Sequence, residues 1–391
     1  MLACSEKKTK ESSSNMSPIP GTFGFDLAFM QSQGSVLVLG TGPSKVLVVP
    51  AYQGRVMTST ANGDAGNSYG WINYDLIRSG ELKPHMNPFG GEDRFWIGPE
   101  GGQFALFFQK GNPFDFEHWQ TPAVIDTEPF DLVSSDSLQA TFKKSTTLTN
   151  FLGTTFQTDI HRQIRLLTKA DLEQEFGITL NKSSAVAFQS VNTVINAGKV
   201  PWLKKNGLLS IWILGMFNPA KETMIVLPHD TPDASNKVAD DYFGTIPADR
   251  IVKTDNLLLL KGDGIYRGKV GIPPAIAKNI AGSYDAEKHI LTLVKFDLDR
   301  AGDYVNSKWE MQKAPFSGDA VNAYNDGPVA NGSQLGPFYE LESSSPAREL
   351  KPGEGITHRS ITVHFEGDES ELDEIAEKTL GVGLKKILFP K

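Results

Sequence analysis

Residues capable of chemistry concentrate in three short segments of this chain. Near the C-terminus, Tyr339-Glu-Leu-Glu-Ser-Ser-Ser-Pro346 alternates apolar and acidic residues and then breaks, which delivers Glu340 and Glu342 at the end of a strand. The turn Leu350-Lys-Pro-Gly-Glu354 and a second alternating run, Thr357 to Phe365, follow. Loops after strands sit at the surface on rigid supports, so a carboxylate there is well placed to act on a ligand. An exposed Glu on an edge strand would give the same pattern. The second segment, Asn87 to Gly102, brackets Glu92, Asp93, Arg94, Trp96 and Glu100 with two Gly-Gly pairs. Glycine lets backbone approach closely, tryptophan offers a flat apolar face with one N–H, and arginine carries a rigid fork of donors. That combination suits a sugar, with a ring against its C–H surface and charged groups against its hydroxyls. A Gly-rich connection in which Phe95 and Trp96 merely pack is the plainer reading. The third segment, Phe316 to Gly327, holds Asp319, Asn322, Tyr324, Asn325 and Asp326. It ends in Asn-Asp-Gly, a turn signal. The Asp-x-Asp-x-Asp-Gly spacing of a calcium loop is missing, so no metal is expected.

Other chemistries find no support. The seven histidines form no His-Glu-x-x-His pair, and no Gly-x-Ser-x-Gly elbow or Walker-type phosphate loop occurs. His358 and His364 share one face of a strand and read as satisfied histidines. Cys4 is the single cysteine, so an intrachain disulfide and a cysteine-based metal site are excluded. No cofactor is expected. Net charge is 38 − 46 = −8 without a basic block, which argues against a nucleic-acid groove.

The elements that must position these residues are mostly strands. Ser35–Leu39 and Lys45–Val49 flank a Gly-Thr-Gly-Pro-Ser hairpin signal. Alternating runs recur at Phe130–Val133, Leu138–Lys143, Ser145–Leu152, Phe156–Leu167, Ala185–Ile195, Leu208–Leu214, Thr223–Leu227, Leu257–Lys261, Ile290–Phe296 and Ser360–Phe365. Phe104–Phe108 reads as a further buried run. Helical signals are confined to Thr168–Phe176 and Glu369–Leu380. No strand–helix alternation or fixed-period repeat is present, so the spacing predicts an all-β chain, a large antiparallel sandwich with few short helices.

Met1-Leu-Ala-Cys4 is similar to the end of a bacterial lipoprotein signal, and the polar run from Ser5 to Asn15 has no apolar anchor. Residues 1–20 are therefore expected to be a tether lipidated at Cys4, and residues 21–391 a single β-supersandwich domain. No apolar run is long enough to span a bilayer, so membrane contact would be through the lipid alone, at the periplasmic side or the outer membrane.

Three segments resemble, in order, the galactose mutarotase-like (aldose 1-epimerase) superfamily. Val48-Val-Pro-Ala-Tyr-Gln-Gly-Arg-Val-Met57 resembles its opening hairpin. Asn87-Pro-Phe-Gly-Gly with Arg94 and Trp96 is similar to its Gly-Gly region. Leu341-Glu342-Ser343 with Leu350-Lys-Pro-Gly-Glu354 is similar to its terminal Leu-Glu-Thr and Leu-x-Pro-Gly-Glu pair. The resemblance implies a β-supersandwich that handles carbohydrate on a concave sheet face. It implies Glu342 as general base on an anomeric hydroxyl, Arg94 and Glu92 orienting hydroxyls, and Trp96 stacking on the sugar. Glu340, Asn192 and His85 are further candidates for substrate contact. The chain departs from the pattern where mutarotases carry their acid histidines. Phe89 precedes Gly90-Gly91, and Asn192 stands on the central strand. His85 could serve as acid, but no motif places it. An aldose epimerase or mutarotase-like enzyme and a non-catalytic sugar-binding protein on the same fold both remain open, with a structural envelope protein as a third reading.

Overall fold

The computed structural model describes residues 19–329 and 331–388, so Cys4 and most of the expected tether lie outside the described residues. Strands run in chain order β1 Leu37–Leu39, β2 Lys45–Val49, β3 Arg55–Thr60, β4 Arg94–Gly98, β5 Asp131–Ser135 and β6 Gln139–Thr149. They continue as β7 Thr155–Leu166, β8 Ser184–Asn196, β9 Ser210–Phe217, β10 Met224–Pro228, β11 Ile251–Lys253 and β12 Leu257–Lys261. The last six are β13 Gly268–Ile272, β14 Ile280–Asp285, β15 Ile290–Phe296, β16 Val321–Asn325, β17 Tyr339–Ser344 and β18 Gly355–Glu366.

These strands form three sheets, paired antiparallel throughout. One has the order β1-β2-β3, one β13-β16-β17-β9-β4, and the largest β11-β12-β10-β14-β15-β18-β8-β7-β6-β5. The chain is the all-β antiparallel sandwich that its alternation predicts. The five-stranded sheet lies against one face of the ten-stranded sheet. Ser343 on β17 meets His358 on β18 across the gap at 2.9 Å. Phe95, Ile97 and Ile213 share one buried cluster with Phe142, Phe156, Ile160 and Phe188. Val270, Val321 and Leu341 share a second with Ile225, Leu258 and Phe296. Because strand side chains alternate between faces, these contacts fix the direction of the residues between them.

The opposite face of the ten-stranded sheet is covered by helices. Leu172 and Phe176 of the helix Lys169–Phe176 and Leu372, Ile375, Ala376 and Leu380 of the helix Glu369–Leu380 pack there with Leu291, Val363 and Phe365. Thr168 and Asp171 form a capping box on the first of these helices, and Gly177 ends it in the left-handed region. Both helices were legible in the sequence. Phe23–Gln33 and Tyr74–Ser79, which cover the small sheet, were not. The apolar residues of Phe23–Gln33 are not confined to one face, so they give no helical stripe. Two expected strands, Leu138–Lys143 and Ser145–Leu152, are one long strand, β6, and the run Phe104–Phe108 is irregular, with Ala105 to Phe108 buried and Phe104 half-buried.

Candidate active site

The motif Gly90-Gly91 brings the chain into β4 through two residues with φ of +98° and +111°. A Cβ on Gly90 would lie 2.0 Å from the Trp71 carbonyl, and one on Gly91 would lie 2.7 Å from Arg55 Cδ. Only glycine tolerates both the dihedral and the crowding. From there Arg94 and Trp96 alternate with Phe95 and Ile97. Since Phe95 and Ile97 belong to the core between the sheets, Arg94 and Trp96 project from the face of the five-stranded sheet that turns away from it. The same argument applies to β17. Ser343 points inward at His358, so Glu340 and Glu342 point outward.

The antiparallel register then assembles the set. Glu342 is opposite Leu214 on β9 and Asn322 on β16, while Arg94 is opposite Leu214 and Trp96 opposite Trp212. Lys269 on β13 pairs with Tyr324, the cross-strand partner of Glu340. The Lys269 ammonium donates to Glu342 Oε2 at 2.9 Å, and the Trp212 indole donates to the same oxygen at 3.0 Å. Arg94 donates to Glu340 Oε1 at 2.9 Å, lies 4.4 Å over the Trp96 ring, and reaches Met86 Sδ at 3.7 Å. Lys269 is 4.8 Å above the Trp212 ring. Trp96 meets Trp212 edge-on at 5.4 Å and Phe107 at 5.2 Å. The aromatic row continues through Phe107 to Trp119 and from Trp119 to Trp309. Asp319 sits over Gly271, where a Cβ would come within 2.0 Å of its carboxylate, and accepts from the Tyr242 hydroxyl.

Burial shapes the electrostatics. It pushes the Glu100 carboxyl up to about 7, against the pull of Lys269. Burial also raises Glu340, with Arg94 opposing and Glu342 reinforcing the shift. For Lys269 burial alone would lower the value, but Glu342, Glu100 and Glu340 together raise it. Asp319 is raised by burial despite its bond from Tyr242. Glu342 Oε1, Arg94 Nε, Trp96 Nε1 and Ser210 Oγ are buried polar atoms of this face without a hydrogen-bond partner among the described residues. Buried polar atoms are nearly always paired, so each of these leaves a lone pair or an N–H open to a water or a ligand.

Of the residues named from sequence, Glu342, Glu340, Arg94 and Trp96 come together on this face. Two do not. Glu92 is buried beside the ten-stranded sheet, where it accepts from the Ser59 backbone at 2.5 Å and lies 2.9 Å from His364 Nε2. Asn192 is buried on β8 and accepts from Arg162 at 2.6 Å. Alternation on β8 turns Asn192 into the gap between the sheets, and the five-stranded sheet separates it from Glu342. His85 lines a neighbouring cleft of about 490 Å³ with Met86, Phe116, Trp119 and Leu335. Its Nδ1 lies 2.7 Å from the Trp119 carbonyl, and Met86, its chain neighbour, contacts Arg94. Sequence reasoning missed Lys269, Trp212, Trp309 and Tyr242 as site residues. Trp212 lies in a recognised strand, but all eight residues of that strand are buried, so alternation could not sort its faces. A separate recess of about 320 Å³ on the helix side of the ten-stranded sheet is lined by charges that pair with one another, such as Arg359 with Glu175 at 2.5 Å.

Fold and site together define a class: an antiparallel β-supersandwich that presents paired carboxylates, cations and tryptophans on the outward face of its smaller main sheet. Residues 21–389 match the family of unknown function DUF6786, and the chain belongs to that family. No curated protein matches the sequence. Among solved structures, the Slr1438 protein of Synechocystis is similar at a TM-score of 0.50 and 11% identity, over 85% of this chain and 96% of that one. A galactose mutarotase-like protein from Lactobacillus casei aligns at a TM-score of 0.47 and 11% identity, over 85% of this chain and all of that one. At these identities the likeness concerns the fold.

Proposed function

We propose that the outward face of the five-stranded sheet binds a carbohydrate and that Glu342 acts there as general base on an anomeric hydroxyl. The observation that carries this reading is the unpaired, buried Glu342 Oε1 among tryptophan faces and partly unpaired donors. Sugars need both kinds of partner, since their C–H surfaces stack on rings and their hydroxyls bridge carboxylates and cations. A base needs a free lone pair within reach of the proton it takes, and Oε1 has one while Oε2 is held by Lys269 and Trp212. Trp96 or Trp212 would stack on the ring, and Arg94 would orient hydroxyls. The order of the sequence motifs shared with mutarotase-like proteins supports the same reading.

The test is anomer interconversion of freshly dissolved α-D-glucose and α-D-galactose by polarimetry, with binding followed by calorimetry. Glu342→Gln should lower turnover by about 10²–10⁴-fold, the usual worth of a positioned acid or base, and leave binding within a few-fold. Normal turnover in that variant sinks the assignment. The Lys269–Glu342 ion pair favours a second reading, a sugar-binding protein without turnover, because it already commits one carboxylate oxygen to a structural contact. That reading predicts saturable binding of a sugar with no chemical change.

We also propose attachment to the cell envelope through a lipid on Cys4, supported by Leu-Ala-Cys and the polar run after it. Incorporation of a labelled fatty acid into the expressed chain, lost in Cys4→Ala, is the expected result. Equal labelling of both proteins, or of neither, rejects it.

A further inference from the structure

We propose that the cleft beside His85 is a second sugar subsite, and that the ligand of the outward face is a reducing oligosaccharide and not a free monosaccharide. This rests on the reading of that face as a carbohydrate site.

The cleft adjoins the face through two of its walls. On the β4 side Met86 lines it and reaches the Arg94 guanidinium through Sδ at 3.7 Å. Trp119 lines it too. Its ring is parallel to Phe107 at 6.4 Å, and Phe107 meets Trp96 at 5.2 Å. On the β17 side the wall is Gln334 and Leu335. The Gly336 N–H beside them donates to Asp326 at 2.9 Å, and Asp326 also accepts from the Tyr324 hydroxyl. Tyr324 is the cross-strand partner of Glu340. Each member of the Arg94–Glu340 pair is thus tied to a wall of the cleft, and a chain of sugars that runs from Glu342 past that pair enters it.

The cleft is built before any ligand arrives. The Asn87 side chain donates to Asp126 at 2.7 Å and accepts from the Lys83 backbone at 2.7 Å. The Thr121 N–H donates to the His85 carbonyl at 2.9 Å, and the Gln334 amide to the Gly264 carbonyl at 2.8 Å. Walls held in this way lose little freedom when a ligand binds. The volume of about 490 Å³ lies in the range of small-molecule sites, roughly 300–1,000 Å³.

Its chemistry is that of an uncharged sugar. Phe116 is 58% exposed and packs on the His85 ring at 4.6 Å, so an aromatic surface stands open to solvent. Trp119 is buried, yet its indole N–H has no partner among the described residues. The Trp119 carbonyl can only accept, so His85 Nδ1 carries the proton of the neutral ring and Nε2 offers a lone pair. The charges of the rim are already paired, Asp75 with Arg78 at 2.9 Å and Glu81 with Lys83 at 3.3 Å. What remains open is aromatic surface, one N–H and one lone pair. These match the C–H faces and hydroxyls of a sugar and offer no free charge to an anion. The direction of the chain follows from Glu342. A base on the anomeric hydroxyl needs C1 free, so the sugar at Glu342 is the reducing end and the cleft takes the residue attached to it.

The experiment is calorimetry on the full chain with D-glucose, maltose, cellobiose and lactose, and with D-galactose and galactobiose. At least one disaccharide should bind about tenfold more tightly than its own reducing monosaccharide, the worth of one further stacked ring. Phe116→Ala and His85→Ala should each remove most of that gain and leave the monosaccharide within about twofold. Phe116 is exposed, so its loss spares the fold, which equal thermal melts would confirm. Disaccharides that bind no more tightly than the monosaccharide reject the cleft and leave the outward face standing. A gain that survives both variants, or an equal loss for monosaccharide and disaccharide in Phe116→Ala, rejects it as well. Binding of none of these sugars rejects the carbohydrate reading of the face and the cleft together.

Discussion

Two sets of charged residues lie on opposite sides of the five-stranded sheet, within a few residues of each other in sequence, and they differ in how completely they are paired. Between the sheets, Asp93 accepts from Arg162 at 2.5 Å and Ser190 at 2.8 Å, and Arg162 spends its remaining donors on Asn192 and the Gly54 and Asp93 carbonyls. Glu92 is equally occupied by Ser59 and His364, and His364 Nδ1 by Thr292. On the outward side, Glu342, Arg94 and Trp96 each keep a buried polar atom unpaired. The inner side is not free of orphans, since His358 Nδ1 and Ser360 Oγ also lack partners. Its ionic groups, however, are closed to newcomers. The lesson is that residue type alone does not separate glue from site. Glu92 and Glu342 carry the same carboxylate, and what separates them is whether the fold has already used its lone pairs.

The comparison can be broken most sharply at its inner side. Arg162→Met should leave Asp93 buried without its cation and cost about 3–5 kcal/mol, read by urea denaturation. A loss under about 1 kcal/mol would show that the inner network is not holding the sheets together. Next comes acid. Burial pushes His358 down to about 3, so the folded protein holds it neutral while the unfolded chain takes a proton near pH 6.5. Between those values the unfolded state binds more protons, and stability falls as the pH is lowered through that window. His358→Asn should flatten this fall, and an unchanged slope from thermal melts at pH 7 and pH 4 contradicts the assignment. The smallest effect is on the outer side and has the opposite sign. Glu100 is raised to about 7, so the folded state binds more protons between roughly pH 4.5 and 7, and stability falls as pH rises through that window. Glu100→Gln removes that loss and should be the more stable protein at pH 8, by roughly 1 kcal/mol. Lower stability at pH 8 would mean that Glu100 is a structural anchor and not a strained site group.

Much of this architecture was legible from residue order. Period-2 alternation at Phe156–Leu167 and Ala185–Ile195 maps onto β7 and β8 almost to the residue, because each strand buries one face only. Fully buried strands were harder. In β4 and β16 both faces are covered, so the pattern does not alternate, and the polar Asn322 and Asn325 made the second of these read as a turn. The acidic pair on β17 stood out because the apolar/acidic alternation breaks at Ser343-Ser-Ser-Pro346, which places Glu342 at a strand end. Glu92 and Asn192 were the opposite case. Their types suit a sugar, and nothing local reveals that Ser59, His364 and Arg162, each at least thirty residues away, have already taken them.

Residue order alone was enough for the class of fold, the strand that carries Glu340 and Glu342, and the Gly-Gly entry into β4. Those depend on local rules, namely period-2 burial and the freedom of glycine at positive φ. Which carboxylates face outward together depends on pairing between strands distant in the chain. Lys269, Trp212, Arg94 and Glu342 come from four strands as far apart as residues 94 and 342, and their meeting depends on antiparallel register. A one-residue slip in any of those pairings would turn its residues to the core.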